Sequence, residues 1–517
     1  MERISILWAD DEIDLLKPHL LFLQDKGYDV TTATSGDEAL ELVDRNDFAV
    51  VLLDENMPGL SGLETLNRLK SKHQDLPVIM ITKSEEEHLM EDAIGSKISD
   101  YLIKPVNPNQ ILLSLKKTLD NKRLISEKTT SNYQQEFRQI GMTMGDRLNW
   151  KEWAEVYKKL VYWELELDKS KDESMMEILK TQKQEANKLY CKFIEHNYIR
   201  WLDGKGMNPP MFSHTLFKAR VAPLLDNPEP VFVVLIDNLR FDQWKIIQPI
   251  VSEYFKVDAE EVYSSILPSV TQYARNAFFA GMMPSEIEKK FPQYWVNEDS
   301  EESRNDFEEP LLIEQLKRLG KDVKMSYNKI TQHHQGKKLA ENMTNLMQNK
   351  LNVIVYNFVD MMSHARSEME VIRELAGDEK AYRSITLSWF ENSPMMDILK
   401  EIAAMKCRLV ITTDHGSIKV STPVKIMGDK NITANLRYKS GRGMTYNQKE
   451  VFEIKKPEEA FLPKGVLSSW YAFAKEDRFF VYPNNYNQFI AHYKNTLQHG
   501  GMSMEEMIIP VITLSSK

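Results

Sequence analysis

The sequence predicts the α/β fold class, with two α/β domains joined by a helical segment. Three observations carry this prediction. Short apolar runs alternate with helical periodicity at the start, a long stretch without Gly or Pro follows, and strand-like runs then return. Alternating strands and helices are typical of parallel sheets covered by helices. The predicted domains are residues 1–122, 123–206 and 207–517.

Each predicted element follows from a local pattern. In the first domain, the apolar runs 4–8, 49–53 and 78–81 predict short buried strands. Between Asp146 and Asp203, apolar residues recur at helical spacing, and no Gly or Pro interrupts them. This pattern predicts helices, whose mixed Lys and Glu residues are expected on a solvated face.

Gly and Pro residues, followed by a change in the spacing of apolar residues, mark the start of the third domain. Gly204 and Pro210 interrupt the helical pattern, and the strand-like runs 231–236, 353–358 and 408–412 follow. A second α/β domain is therefore predicted from residue 207.

Composition excludes several classes of protein. The 517 residues carry 66 Lys and Arg against 76 Asp and Glu, a net charge of -10, which disfavours non-specific binding to nucleic acid or anionic membranes. The two cysteines, Cys191 and Cys407, lack the spacing of a thiolate metal site. No apolar run approaches the roughly 20 residues of a membrane span. We expect a cytoplasmic protein without membrane insertion.

A first group of chemical residues lies at the ends of predicted strands in the first domain. Asp10 and Asp11 follow one strand, Asp54 another, Thr82 ends a third, and Lys104 follows a fourth. Strand ends of a doubly wound sheet share one crevice, and three carboxylates there suit Mg²⁺. Asp54 is the expected nucleophile toward a phosphoryl donor, with Lys104 and Thr82 meeting the phosphoryl oxygens.

These motifs, Ala9-Asp10-Asp11-Glu12, Val51 to Gly59 and Tyr101 to Pro105, resemble the receiver domain of bacterial response regulators. The resemblance implies a flavodoxin-like doubly wound parallel sheet. It also implies phosphorylation of Asp54 by a sensor histidine kinase, a switch pair of Thr82 and Tyr101, and an Asn56 backbone carbonyl bound to Mg²⁺.

A second group of chemical residues lies in the third domain. Asp237, Asp360 and the pair Asp414-His415 each close a predicted strand, and His364 lies four residues after Asp360. Ligands of Asp and His without Cys indicate a zinc-like or manganese-like metal pair. Two further residues complete the group: His499 before two glycines, and Thr271, a hydroxyl that a metal could activate toward phosphorus.

This second pattern resembles the alkaline phosphatase superfamily, most closely its PglZ-type branch, over residues 220–517. The resemblance implies an alkaline-phosphatase-like α/β domain with two Zn²⁺ ions and a Thr271 nucleophile that forms phosphothreonine. One ion would be held by Asp237, Thr271, Asp414 and His415, and the other by Asp360, His364 and His499. The sequence after Thr271 lacks the Pro and Arg of sulfatases, so sulfatase activity is disfavoured.

Four basic residues are predicted to bind substrate. Arg275 lies one helical turn after Thr271, and Arg437, Lys439 and Arg442 lie in a Gly-containing loop. Guanidinium and ammonium groups are the usual partners of phosphate oxygens.

Taken together, the receiver, helical middle and PglZ-type domains resemble the PorX family of response regulators. The resemblance implies a role in type IX protein secretion, with a sensor histidine kinase and an alternative sigma factor as partners. We expect a phosphodiesterase acting on nucleotides or oligonucleotides, which forms a homodimer when Asp54 is phosphorylated. The alternatives are a phosphomonoesterase and a non-catalytic, metal-stabilised scaffold acting through the sigma factor. A DNA-binding regulator lacks support, because no basic recognition helix is predicted.

Overall fold

The structure is a computed structural model. It describes residues 4–73, 75–83, 98–170, 173–296, 305–362, 378–429, 432–464 and 468–517, without the side chains of 120–128 and 170. The chain forms two compact units. The first comprises residues 1–135 with 166–175, and the second comprises 136–165 with 176–517.

The first unit contains a five-stranded parallel sheet in the order β2-β1-β3-β4-β5. This is the doubly wound arrangement predicted for the first domain. The central strands are mostly apolar because both faces of the sheet are buried. The strands are β1 (Ile4–Ala9), β2 (Tyr28–Ala33), β3 (Val50–Asp54), β4 (Val78–Thr82) and β5 (Asp100–Ile103).

The helices that begin at Gly36 and Gly62 start at side-chain caps. Ser35 accepts the backbone N–H of Glu38, and Ser61 and Glu64 form a reciprocal capping box. The helices are α1 (Lys17–Asp25), α2 (Gly36–Arg45), α3 (Gly62–Lys72) and α4 (Pro108–Met144). Helix α4 continues beyond the first unit's last residue in this stretch, Gln135.

Two long helices follow, α5 (Trp150–Ser170) and α6 (Glu173–Leu202). Asn149 caps α5, because its Oδ1 accepts the N–H groups of Lys151 and Glu152. The predicted apolar stripe of α5 is buried, over Trp153, Val156, Tyr157, Leu160 and Val161.

Most of these two helices belong to the second unit. The reason is that their buried faces contact residues of that unit, as where the Asn187 side-chain amide donates to Glu505 at 2.8 Å. The sequence predicts a separate domain over 123–206, and its boundaries stay a prediction.

The second unit is built on a six-stranded mixed sheet in the order β7-β18-β10-β6-β9-β8. Strands β10, β6, β9 and β8 are parallel, whereas β18 runs antiparallel to β10 and β7. The strands are β6 (Val231–Ile236), β7 (Phe255–Ser264), β8 (Met325–Ile330), β9 (Leu351–Tyr356), β10 (Arg408–Thr412) and β18 (Ile508–Ser516).

Helices surround this sheet. They are α7 (Ser213–Leu216), α8 (Phe241–Tyr254), α9 (Thr271–Ala280), α10 (Pro284–Lys290), α11 (Glu308–Arg318), α12 (His333–Glu341), α13 (Met343–Leu346), α14 (Glu379–Asn392), α15 (Pro394–Ala404), α16 (Tyr486–Tyr493) and α17 (Met504–Met507). Helix α9 ends at Gly281, which adopts a left-handed conformation with φ 57°.

Three small sheets lie between β10 and β18 in the chain. They pair β15 with both β13 and β14, β12 with β16, and β11 with β17. Their strands are β11 (Ile418–Lys419), β12 (Thr422–Lys425), β13 (Tyr438–Gly441), β14 (Val451–Ile454), β15 (Trp470–Ala474), β16 (Arg478–Val481) and β17 (Leu497–Gln498).

Candidate functional site

The first unit gathers its predicted carboxylates at one end of the sheet. Carboxylate oxygens of Asp10, Asp11 and Asp54 lie within 4.8 Å of one another. Lys104 reaches the same place, with its Nζ 2.8 Å from Asp10 Oδ2 and 2.9 Å from Asp54 Oδ1. The strand ends therefore assemble the three carboxylates and the lysine that the sequence predicts at this position.

Burial and charge shape the properties of this cluster. Burial raises the pKa of Asp54 above its ordinary value, and Asp10 adds to that effect. Burial alone would lower the pKa of Lys104, but its bonds to Asp10 and Asp54 outweigh burial and raise it. Three carboxylates around one ammonium group leave excess negative charge, which suits a hard divalent cation such as Mg²⁺.

The other predicted receiver residues lie on the neighbouring strands β4 and β5 or shortly after β3. Thr82 ends β4, next to the strand that leads to Lys104. Tyr101 is half-buried on β5 and packs against the apolar core of the unit. Asn56 is exposed, two residues after Asp54.

In the second unit, three adjacent parallel strands deliver the predicted carboxylates to one edge. Ile236 of β6 is paired with Tyr356 of β9, and Leu235 pairs with Thr412 of β10. The strands therefore end level, and the residues that follow them converge. These residues are Asp237, Asp360, Asp414 and His415.

The predicted nucleophile lies at the first position of α9. Thr271 Oγ1 is 3.1 Å from His415 Nε2. His415 Nδ1 lies 3.2 Å from the Gly416 carbonyl, which can only accept a hydrogen bond. In the neutral imidazole, Nδ1 therefore holds the proton, and the lone pair of Nε2 faces Thr271.

A close approach of two loops brings His499 to the same place. Ser269 Oγ accepts the N–H of Gly500 at 3.2 Å and donates to the Gly501 carbonyl at 2.9 Å. Gly500 has φ 118°, and a Cβ there would lie 3.0 Å from Val270. The His499 ring consequently stacks on His415, with 4.2 Å between ring centroids.

The ligand atoms of the second unit form two overlapping groups. Asp237, Asp414 and His415 offer ligand atoms within 4.8 Å of one another, and so do Asp360, His415 and His499. His499 Nε2 lies 3.6 Å from Asp360 Oδ1. His364, the remaining predicted ligand, lies outside the described residues.

The Asp237 carboxylate indicates that the first of these groups fits a cation. Its Oδ1 is buried without a hydrogen-bond partner within the described parts of the chain. Burial, with the charges of Asp414 and Asp360, raises the Asp237 pKa well above its ordinary value despite the nearby Arg275. A divalent cation would satisfy this oxygen, and Asp, His and a hydroxyl are suitable donors for it.

The structure corrects three of the four predicted substrate contacts. Arg275 has no exposed surface and contacts the Asp237 and Asp414 carboxylates. Arg437 is also fully buried, and its Nε and Nη2 bind Glu506 at 3.0 and 2.6 Å.

Lys439 is the third correction. It is buried too, and its Nζ donates to the Thr433 carbonyl at 2.7 Å and to the Tyr482 hydroxyl at 3.1 Å. All three basic side chains are thus bound to other residues of the protein. Arg442 remains exposed, 3.6 Å from Asp429, and stays a prediction.

Three further polar residues join the site without being predicted from the sequence. Asn238 donates to Asp360 at 3.3 Å, while Glu308 and Asn357 accept from Arg275 Nη1 at 3.4 and 3.3 Å. The sequence could have indicated two of them, because Asn238 directly follows Asp237 and Asn357 directly follows β9, so both lie at strand ends. Glu308 gave none, since it begins a helix far from the other residues in sequence.

Comparison with known families divides the chain into three parts. A family described as the BREX system PglZ alkaline phosphatase-like domain matches residues 216–514. The PorX response regulator linker domain matches residues 123–202, and the response regulator receiver domain matches residues 6–116.

Individual relatives match the receiver part. The transcriptional regulatory protein SrrA of Staphylococcus aureus is 32% identical over 115 residues, which are 22% of this chain and 47% of SrrA. The chain thus spans about half the length of the curated relatives it matches.

Two solved structures also match this part. A CheY-like receiver domain protein from Methanospirillum hungatei JF-1 is 27% identical, with a TM-score of 0.23 over 23% of this chain and 95% of its own. TrrA from Thermotoga maritima, in complex with Mg(2+)-BeF, is 32% identical, with a TM-score of 0.21 over 22% of this chain and 99% of its own.

Among the described helices, none combines the length and the apolar character that crossing a membrane requires.

Proposed function

The chain belongs to the PglZ alkaline phosphatase-like family and has the receiver, linker and PglZ architecture of the PorX response regulators, and on this basis we propose that it is a metal-dependent phosphodiesterase controlled by phosphorylation of Asp54. The observation that carries the proposal is the 3.1 Å approach of Thr271 Oγ1 to His415 Nε2, within a cluster of buried carboxylates. A hydroxyl in such a cluster is suited to attack phosphorus.

Two cations fit the ligand atoms. Asp237, Thr271, Asp414 and His415 would hold one, and Asp360 and His499, with the predicted ligand His364, would hold the other. We propose Zn²⁺ at both, because the donors are carboxylate, imidazole and hydroxyl groups. When bound, the cations would supply charge stabilisation to the phosphoryl oxygens and favour ionisation of a hydroxyl.

The chain's own residues direct the chemistry. Thr271 Oγ loses its proton and forms a bond to phosphorus while one of the two ester P–O bonds breaks. This step gives a threonine phosphodiester that still carries the second alcohol group, and the first alcohol leaves with a proton. Water then cleaves the Oγ–P bond, restores the Thr271 hydroxyl and releases a phosphomonoester. The first turn of α9 has N–H groups without partners inside the helix, and these favour the negative charge that develops beside Thr271.

The burial of three basic side chains near the site favours a diester over a monoester as substrate. A monoester carries about two negative charges and a diester one, so a monoesterase gains more from a guanidinium clamp. Arg275, Arg437 and Lys439 are each engaged inside the fold. Nucleotides and oligonucleotides are the proposed substrates, because cyclic nucleotides and oligonucleotides contain phosphodiesters.

The receiver unit implies a cognate kinase partner. We propose a sensor histidine kinase, with Mg²⁺ held by Asp10, Asp11 and Asp54 during phosphoryl transfer. The PorX linker match supports a role in type IX secretion, with an alternative sigma factor as a second partner.

The test compares turnover of bis(p-nitrophenyl) phosphate and p-nitrophenyl phosphate by Zn²⁺-loaded protein. We expect faster diester turnover, which Thr271→Ala abolishes, because the attacking oxygen is removed. Thr344→Ala, at an exposed threonine of α13, is the matched control and retains activity.

Other outcomes separate the alternatives. Faster monoester turnover would favour a phosphomonoesterase. A loaded protein inactive on both esters would favour the scaffold. Full activity of Thr271→Ala would remove Thr271 as nucleophile.

A further inference from the structure

Arg275 lies beneath the carboxylates of the site, one turn after Thr271 on α9. Its Nε is 2.9 Å from Asp414 Oδ2, and its Nη2 pairs with Asp237 Oδ2. The guanidinium therefore joins two proposed ligands of one cation. These ligands come from two neighbouring strands, β6 and β10.

The bonds around each carboxylate determine which of its two oxygens faces the proposed cation. Arg275 occupies the Oδ2 side of both carboxylates. Asp237 Oδ1 stays buried without a hydrogen bond within the described residues and lies 3.6 Å from His415 Nε2. For Asp414 the other oxygen is used, because Oδ1 accepts the backbone N–H groups of Asn238 and His415 at 3.4 and 3.1 Å, and Oδ2 lies 3.8 Å from His415 Nε2. Both carboxylates are thus held in one orientation before any cation binds.

A second layer of contacts fixes Arg275 itself. Its Nη1 lies 3.4 Å from Glu308 Oε1 and 3.3 Å from Asn357 Oδ1. Glu308 is 1% exposed, and its other oxygen accepts the Tyr327 hydroxyl and lies 3.5 Å from Lys329 Nζ. Because each guanidinium nitrogen has a protein partner, Arg275 cannot serve as a clamp for substrate without breaking these pairs.

We propose that Arg275 is a positioning residue, which holds Asp237 and Asp414 as one-oxygen donors to the cation beside Thr271. The inference rests on the proposed function for the identity of that cation site. The role needs a planar fork, since one group must meet two carboxylates, a third acidic residue and an amide at fixed angles. A lysine at the same place keeps the charge but offers only a single nitrogen.

Arg275→Lys therefore separates geometry from charge in the full-length protein. We expect its affinity for Zn²⁺ at this site to fall about tenfold to a hundredfold, the usual effect of losing a group that orients metal ligands. The bound metal should fall from about two equivalents to about one at a limiting Zn²⁺ concentration, since a two-metal site is proposed. Competition with a chromophoric chelator gives the affinity, and elemental analysis gives the stoichiometry.

Arg383→Lys is the matched control. Arg383 is likewise buried, and its Nη1 contacts Glu164 at 2.9 Å and Asp242 at 3.0 Å, neither of which is a proposed metal ligand. This variant should bind both Zn²⁺ ions with unchanged affinity. Circular dichroism of the metal-free proteins checks that each variant is folded.

Glu308→Gln provides a second route if Arg275→Lys does not fold. It keeps the shape of the side chain but weakens its hold on Arg275, so we expect a smaller loss of Zn²⁺ affinity in the same direction. Unchanged Zn²⁺ affinity and stoichiometry in a folded Arg275→Lys, or in Glu308→Gln when the lysine variant does not fold, would overturn the inference. Because the readout is metal binding, this result stays distinct from a failure to hydrolyse diesters.

Discussion

Lys104 bridges the two most buried carboxylates of the receiver cluster, Asp10 and Asp54. We predict that Asp54 accepts the phosphoryl group, because it ends β3 opposite Lys104. Incubation with acetyl phosphate and Mg²⁺ should label the protein, as intact-mass spectrometry would detect, and Asp54→Asn should remove the label.

Asp29→Asn is the control for this experiment, since Asp29 is an exposed aspartate on β2. It should be labelled like the unmodified chain. A label of equal strength on Asp54→Asn would place the phosphoryl group elsewhere.

The sequence predicts the positions of acidic residues at strand ends well, but it predicts the partners of buried basic side chains poorly. Asp237, Asp360 and Asp414 each directly or closely follow an apolar run, so their convergence follows from the parallel sheet alone. Arg275 lies four residues after the nucleophile and therefore resembles a phosphate clamp. Its actual partner Asp414 is 139 residues away in the chain, and no local pattern reports such a contact.

A buried ionic network joins the long helices to the second sheet's helices. Glu164 of α5 lies 2.9 Å from Arg383 of α14, which also contacts Asp242 of α8 at 3.0 Å. Lys183 of α6 binds Glu164 and lies 3.8 Å from Glu505 of α17. The network connects these five helices within the second unit.

We predict that Arg383→Met lowers the free energy of unfolding by about 3 kcal/mol, because the buried carboxylates of Glu164 and Asp242 lose a cation that they share. Lys180→Met is the control. Its exposed pair with Glu177 should contribute less than about 1 kcal/mol. Urea denaturation followed by circular dichroism measures both, and equal midpoints would contradict a stabilising role for the network.

A neighbouring ion pair gives a prediction for acid stability: Arg240, which also binds Asp242, places its Nη2 2.5 Å from Glu379 Oε2. The Arg240 guanidinium outweighs burial and lowers the pKa of Glu379 to about 2. Because its pKa is lowered, the Glu379 carboxylate stabilises the fold fully at pH values above the ordinary pKa of 4.5. This contribution to the free energy of unfolding is lost as the pH falls toward 2. Glu379→Gln should therefore narrow the stability difference between pH 7 and pH 3, measured by denaturant midpoints. An unchanged difference would contradict the assignment.

At the level of elements, periodicity predicts the apolar stripe of α5, which is buried as expected. It fails for the charged residues of the same helices. Glu164 and Lys183 are expected on a solvated face, yet Glu164 is buried at 5% exposure. The spacing of apolar residues along α5 does not show that Arg383 of α14 will pair with Glu164 and bury it.

For the whole molecule, we predict that phosphorylation of Asp54 promotes dimerisation. A phosphoryl group at Asp54 would engage Lys104 and Thr82 and allow Tyr101 to repack, which changes the surface near β5. Light scattering with and without beryllofluoride, a phosphoryl mimic, measures the mass. Asp54→Asn should stay monomeric with the mimic, and a monomer of the unmodified chain under both conditions would refute the prediction.

Strand β18 lies in the interior of its sheet, between β7 and β10. During synthesis on the ribosome, this sheet stays divided until residues 508–516 have emerged, and β7 and β10 each keep an open edge. The receiver sheet needs only residues 4–103 and can form much earlier, because units fold in the order of synthesis. A nascent chain therefore completes the sheet that carries Asp54, the predicted phosphorylation site, long before it completes the second sheet. A chain terminated before residue 508 would still contain the receiver sheet but would lack the strand that joins β7 to β10 in the second sheet.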